Sequence, residues 1–221
     1  MESPKIILGE DAFAGWGNNS KFTLAERIDN YANTLRFAYA SGIRGYAMSP
    51  VPYLIPILKS FKESHPDIIC FANPHKGYNY YFNGNSLWDS HLRQRILATE
   101  KIKLIGLNQP LRQEWYGVNS GAIPFSDKEI SQIMFNRNEF QDLLSAFDFC
   151  DYSLVGNISH GFLYLAGRHD VVEEQVELVK HKNLTPVAIC EGGVEVLSKI
   201  QSLDVQNIWV WYNSRVAADE R

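Results

Sequence analysis

The feature that most constrains the fold is a regular alternation of short apolar runs with segments of helical periodicity. Seven apolar runs of strand length are separated by six segments in which apolar residues recur every three or four positions. The runs are residues 5–11, 43–49, 67–73, 102–108, 151–157, 185–190 and 207–213. A chain that returns through a helix re-enters a sheet in the same direction. The alternation therefore predicts an α/β protein with a parallel sheet covered by helices.

Short local signals place the helix starts. Thr23 with Glu26, and Ser126 with Glu129, have the spacing of capping boxes, in which a hydroxyl and a carboxylate satisfy each other's backbone N–H groups. We expect helices after both, the second running through Ile133 and Leu144, and a further helix from Ser86 to about Thr99.

The polar residues at the strand ends separate two architectures. A closed (βα) barrel brings every strand end to one mouth, whereas an open doubly wound sheet needs such residues only near its switch point. Nearly every run ends in a polar residue: Glu10 and Asp11, Ser49, Asn73 and His75, Asn108, Asn157, Glu191 and Asn213. We predict a single (βα)-barrel domain over residues 1–221, short or incomplete with seven clear strands. Residues 161–167 are the candidate for an eighth, and the open sheet is the alternative.

The alternation resembles that of the (βα)8 TIM-barrel enzymes over nearly the whole chain. The opening, LGEDAFAGWG followed by ASGIRGYAMSPVPY, also resembles the start of aldo/keto reductases. In that family a segment at the second strand carries a catalytic Asp, with a Tyr a few residues on. Here Ala47 or a neighbour stands where the Asp belongs, while Tyr53 matches the Tyr. Because a required residue is missing, the resemblance does not imply reductase activity, and no specific family is assigned.

Charge and composition exclude several classes of partner. The formal net charge is −4 without a basic block, so a nucleic-acid backbone is not an expected partner. No apolar stretch approaches the ~18 residues of a membrane span, and the first residues lack the features of a signal peptide. Cys70, Cys150 and Cys190 are far apart and odd in number, as expected for buried thiols in a reducing compartment. We expect a cytoplasmic protein, and a homo-oligomer is compatible with the sequence.

The loop after the third apolar run carries the first catalytic candidates. His75 can act as general acid or base near neutral pH, and Lys76 can bind an anionic group. Tyr78 and residues 80–82 supply four rings that can wall a pocket and exclude water. The alternative is that these rings pack on the rim of the barrel.

Three further strand ends carry acid–base candidates. Adjacent strand residues point to opposite sides, so only one of Glu10 and Asp11 can face the barrel interior. His160 and Glu191 follow the fifth and sixth runs, and with Asp11 and His75 they form a scattered set of nitrogen and oxygen ligands that gives only a weak metal signal. We predict no metal site and leave the cofactor open. The catalytic candidates are His75, Glu191, Asp11 and His160.

Substrate-binding candidates come from the same strand ends. Gly192 and Gly193 open a helix whose free N–H groups attract anions, and Arg215 can clamp a carboxylate or phosphate. The full set is Lys76, Asn73, Asn108, Asn157, Asn213, Arg215, Gly192 and Gly193. We expect a lyase, aldolase or isomerase that acts by acid–base chemistry on a small polyhydroxylated, carboxylated or phosphorylated metabolite. Two alternatives are a non-catalytic barrel that binds a protein or small ligand and an oxidoreductase that uses a flavin or nicotinamide.

Overall fold

The structure, a computed structural model, describes residue 4 and residues 6–15, 22–74, 79–106, 121–155, 159–190 and 207–210. The helices are α1 (Leu24–Ala40), α2 (Ile55–Ser64), α3 (Ser90–Gly106), α4 (Asp127–Ile130), α5 (Arg137–Ser145), α6 (Ser159–Leu165) and α7 (His169–His181). The strands are β1 (Ile7–Leu8), β2 (Gly45–Met48), β3 (Ile69–Ala72), β4 (Tyr80–Phe82), β5 (Asn85–Ser86), β6 (Met134–Phe135), β7 (Tyr152–Val155), β8 (Thr185–Cys190) and β9 (Asn207–Val210). Within these segments, no helix has both the length and the apolar character needed to cross a membrane.

Six strands form a parallel sheet in the order β1-β2-β3-β7-β8-β9. The prediction of an α/β fold with a parallel sheet is therefore confirmed. The order follows the chain without a reversal, so the carboxyl ends of successive strands lie side by side at one edge. Among the described residues no pairing joins β9 to β1, and the sheet is open there rather than a closed barrel.

Both predicted capping boxes are present and begin helices. The Thr23 hydroxyl accepts from Glu26 N, and the Ser126 hydroxyl accepts from Glu129 N, while each glutamate accepts from the cap residue's backbone. The chain after Ser126 forms two short helices, α4 and α5, instead of the single predicted helix. Residues Met134–Phe135 lie between them as strand β6.

Two segments predicted as strands are helical. Residues 102–106 of the run 102–108 form the end of α3, which continues from Ser90 because no glycine or proline interrupts it before Gly106. Residues 161–165 lie in α6, so the candidate eighth strand is also wrong. Short apolar runs do not distinguish a buried helix from a buried strand. Here Phe162, Leu163 and Tyr164 are all buried in a single helical turn.

A small antiparallel sheet, with the order β5-β4-β6, was not predicted. Strands β4 and β5 are joined by Asn83 and Gly84, which have φ angles of 50° and 78°. Positive φ at both central residues is typical of the tight hairpin turn that Asn-Gly favours. The helix expected from Ser86 begins at Ser90 instead, since residues 85–86 pair with β4.

The two faces of the parallel sheet bury different clusters. The larger core lies between the sheet and the helices and includes Tyr46, Cys70 and Val155. The smaller cluster, on the opposite face, consists of strand residues: Ile69, Phe71, Leu154 and Val187, with Ile7, Ala47 and Tyr152 packed against them. Its four central residues are at most 4% exposed, although no helix residue belongs to the cluster in the described part of the chain. The described part of this cluster thus consists of strand residues alone.

Candidate functional site

A chain of polar groups crosses the carboxyl ends of β1, β2 and β3. The backbone N–H of Ser49 donates to Glu10 Oε1 at 2.7 Å, and the amide Nδ2 of Asn73 donates to Ser49 Oγ at 3.1 Å. The three residues come from consecutive strands of the sheet and lie just beyond each strand. We call them the carboxyl-edge chain. It joins groups that are 39 and 24 residues apart in sequence.

The register of the strands accounts for this meeting. Ile7 pairs with Gly45, and Gly45 pairs with Ile69. Extending the offset between β2 and β3 brings Ser49 and Asn73 to one level of the sheet, and Asp11 lies in the turn that follows β1. Asn73 N also donates to Met48 O at 2.8 Å, so the β2–β3 ladder continues to the site.

Glu10 lies on the helix side of the sheet. Leu8, two residues earlier, packs against the larger core, and strand residues two apart share a face. The pKa of Tyr31, on the buried face of α1, is raised by burial and then by the nearby Glu10 charge. Glu10 is 2% exposed, and burial raises the pKa of its carboxyl although the hydrogen bonds from Ser49 oppose the shift.

Asp11 is the solvent-exposed carboxylate at the carboxyl edge of the sheet. It begins the turn that follows Glu10, where Phe13 N and Ala14 N both donate to Glu10 O. Its side chain is exposed, yet partial loss of hydration raises its pKa above the ordinary value of 3.8. A carboxylate that is easier to protonate than usual is a better proton carrier near neutral pH.

Asn73 has an unused acceptor. Its Oδ1 is buried and has no hydrogen-bond partner in the described part of the protein, while its Nδ2 is held by Ser49. Buried polar atoms are seldom left unpaired, and exceptions often mark a binding site or an ordered water. A ligand hydroxyl or ammonium group would satisfy this oxygen.

Of the predicted site residues, Asp11 and Asn73 have described side chains, and they follow β1 and β3 at the carboxyl edge of the sheet. Sequence reasoning placed Glu10 and Ser49 at strand ends but did not select either as a site residue. The side chain of His160 lies outside the described residues, although its backbone belongs to α6. The other candidates lie outside the described residues altogether: His75, Lys76, Asn108, Asn157, Glu191, Gly192, Gly193, Asn213 and Arg215.

The aromatic residues after β3 have a structural role in the described part. Tyr80 and Phe82 are in the larger core at 0% and 6% exposure, and the Tyr81 hydroxyl donates to Glu139 Oε2 at 2.7 Å. Tyr78 lies outside the described residues. Tyr81 also lines a pocket of about 850 Å³, together with Asn83, Phe135 and Arg137. Of residues 80–82, Tyr81 therefore contributes to a pocket wall, whereas Tyr80 and Phe82 pack inside the core.

A search for metal ligands gives no site in the segments described. Nowhere in them do three His, Cys, Asp or Glu side chains come together in a way that could hold an ion. This result does not test the predicted set of Asp11, His75, His160 and Glu191, because only Asp11 has a described side chain. In comparisons with known proteins, no family model, curated protein or solved structure matches this chain.

Proposed function

We propose that this protein is a lyase or isomerase that moves a proton on a small polyhydroxylated or carboxylated metabolite, and that the carboxyl edge of its parallel sheet is the active site. The observation that carries the proposal is the carboxyl-edge chain of Glu10, Ser49 and Asn73 with Asp11 beside it. It combines a carboxylate of raised pKa with a buried, unpaired acceptor at one edge. Proton carriers next to fixed hydrogen-bonding groups are what acid–base catalysis requires.

We further propose that the sheet is part of a short or incomplete (βα) barrel. Two observations support this. The strands follow chain order without a reversal, which is the order of a barrel. The cluster around Phe71 and Leu154 is buried on a face where the described residues are all from strands, as in a sheet that curls around its own side chains.

The residues would divide the work as follows. Asp11 and His75 would transfer the proton, since His75 follows β3 two residues after Asn73. Glu10 would act as a positioning residue, because its carboxylate holds the Ser49 backbone and Ser49 in turn holds the Asn73 amide. Asn73 Oδ1 would accept a hydrogen bond from a substrate hydroxyl.

Proton abstraction from carbon can be tested without knowing the substrate. The purified protein is incubated in D2O with pooled hydroxy acids, keto acids, sugars and sugar phosphates, and loss of C–H signals is followed by proton NMR. We expect exchange in at least one pool. Asp11→Asn and His75→Gln should each slow it by about 10²-fold or more, the usual contribution of a general acid or base.

The matched control is Asp148→Asn, which removes an exposed carboxylate that pairs with Lys59 on α2. This variant should exchange at the wild-type rate. The absence of exchange in every pool, or full exchange in both Asp11→Asn and His75→Gln, would refute the proposal. Glu10→Gln adds a further readout, since a positioning role predicts a change in the pH profile of exchange in addition to a lower rate.

A further inference from the structure

A separate pocket lies against the outer face of α1. It encloses about 480 Å³, which is within the range of small-molecule sites. Its walls come from α1 and from the turn that follows β1, and they share no residue with the carboxyl-edge chain. The described lining includes Phe13, Arg27, Asn30, Asn33, Thr34 and Phe37. The four lining positions 27, 30, 34 and 37 are spaced so that they share one face of the helix, beside the face that buries Tyr31 and Leu35.

Arg27 is the only charged residue in the described lining. Its guanidinium carbon lies 5.6 Å from the centre of the Tyr53 ring, and an added Cβ at Gly15 would collide with its Nη1. Gly15 has a φ angle of 79°, a conformation that glycine adopts freely. Tyr53 is itself fixed, because its hydroxyl donates to Phe13 O at 3.1 Å. The arginine is thus held in place by the two loops that follow β1 and β2.

Arg27 has no hydrogen-bond partner among the described residues. Its Nε is buried without a partner, and within the described segments its guanidinium makes neither an ion pair nor a hydrogen bond. Asn33 uses its Oδ1 to accept from Arg36 Nη1 at 2.7 Å, so its NH2 group remains available as a further donor. A partly desolvated guanidinium without an acceptor is costly, and an oxyanion would relieve that cost through charge-assisted hydrogen bonds.

The rest of the pocket favours a ligand with an apolar body. Phe13 is near the arginine, since Tyr53, which lies against Arg27, donates its hydroxyl proton to Phe13 O. A flat ring placed against Phe13 would bury apolar surface while its anionic end meets Arg27. Phe37, which is 74% exposed, lines the far end of the pocket, about 15 Å along α1 from residue 27. The nearest acids in sequence do not compete. Glu26 is engaged by the Thr23 backbone and hydroxyl, and neither Asp29 nor Asp11 is part of the described lining.

We propose that this pocket binds a small aromatic carboxylate, with Arg27 clamping the carboxylate and Phe13 packing against the ring. The site is independent of the proposed reaction, so binding can be tested directly. Benzoate is the probe. Benzyl alcohol is the matched ring without a charge, and inorganic phosphate is the matched charge without a ring.

Binding is measured by calorimetry and ligand-observed NMR on the full chain. We expect benzoate to bind in the millimolar range or tighter, and benzyl alcohol and phosphate at least ~10-fold more weakly. Arg27→Met should weaken benzoate by ~10-fold or more. The matched control is Arg93→Met, because Arg93 is exposed and lies 5.2 Å from the Trp88 ring. This variant should leave affinity unchanged.

Phe37→Ala provides a second control that does not risk the fold, because the side chain is largely exposed and lies about 15 Å along α1 from residue 27. It should leave the affinities for benzoate and phosphate unchanged. Equal benzoate affinity in wild type and Arg27→Met, or no benzoate binding at 10 mM, would overturn the proposal. Benzyl alcohol binding as tightly as benzoate would replace it with an uncharged apolar groove, and phosphate binding without benzoate would rule out the aromatic ligand.

Discussion

Two lysine–aspartate pairs join α2 to the end of the chain segment before β7, and they offer a controlled measurement of burial. Lys59 pairs with Asp148 at 3.0 Å, and Lys62 pairs with Asp151 at 2.9 Å. Both pairs span 89 residues in sequence. The first pair is open to solvent, with side chains 43% and 68% exposed, whereas the second is 17% and 34% exposed. We predict that Asp151→Ala is far more destabilising than Asp148→Ala.

The magnitude follows from the bonds that each substitution removes. Asp151 Oδ2 accepts from Cys70 N at 2.8 Å as well as from Lys62, so alanine leaves both donors without that acceptor. Hydrogen bonds to charged groups contribute about 1.5–3 kcal/mol each, and the partial exposure of Asp151 favours the lower end. The expected loss is about 3 kcal/mol for Asp151→Ala. Exposed ion pairs such as Lys59–Asp148 contribute about 0–1 kcal/mol.

Urea unfolding followed by far-UV circular dichroism measures both values. With an m-value of about 2 kcal/mol/M, the Asp151→Ala midpoint should fall by about 1.5 M and the Asp148→Ala midpoint by less than about 0.5 M. Added salt should reduce the effect of Asp148→Ala and leave most of the effect of Asp151→Ala, because buried pairs are screened less. Equal losses in the two variants would show that burial of the Lys62–Asp151 pair does not matter, and the reasoning would be refuted.

Four further substitutions test the strand layer by the same unfolding assay. Burial raises the pKa of Glu10 above 4.5, so the folded state loses stability as pH rises past that value. Glu10→Gln should be more stable than wild type at neutral pH and no more stable below about pH 4, and a less stable variant at neutral pH would contradict this. Phe71→Ala should lower the free energy of unfolding by about 3–5 kcal/mol, because the ring is 1% exposed and stacks on Tyr152 at 4.9 Å. A loss below about 1 kcal/mol would mean that the sheet face that bears Phe71 is not tightly packed. Gly45→Ala should cost about 1–3 kcal/mol, since its Cβ would lie 2.8 Å from a side chain of β1, whereas Gly9→Ala, with nothing within 4 Å, should be nearly neutral.

The parts of the fold that were predicted correctly are those that local chemistry decides. The capping boxes at Thr23 and Ser126 need only residues three apart, and both are present. Strands β3 and β8 lie within continuous apolar runs bounded by polar residues. The strand prediction for residues 102–106 was wrong because Ile102, Leu104 and Ile105 form a short apolar run that resembles a strand. The helix that began at Ser90 simply continues, and it leaves Ile102 and Ile105 more than half exposed.

The antiparallel hairpin could have been found from the sequence. Asn83-Gly84, between Tyr80–Phe82 and Asn85–Ser86, is a strong hairpin signal. The polar context of Ser86 favoured a helix start instead. Strand β6 could not be predicted from the sequence, because Met134 fits the helical spacing of Ile130 and Leu144. Only its pairing with Tyr81 makes this segment a strand.

The site shows most clearly what single-sequence reasoning lacks. Composition and alternation indicate that Asp11 and Asn73 end strands, but which of Glu10 and Asp11 faces the helices depends on register. A shift of one residue between β1 and β2 would exchange the two carboxylates, because strand side chains alternate. In the observed register Glu10 is buried near α1 and accepts a hydrogen bond from Ser49 N, whereas Asp11 is exposed to solvent. The same register therefore decides which carboxylate supports the site and which one can reach a substrate.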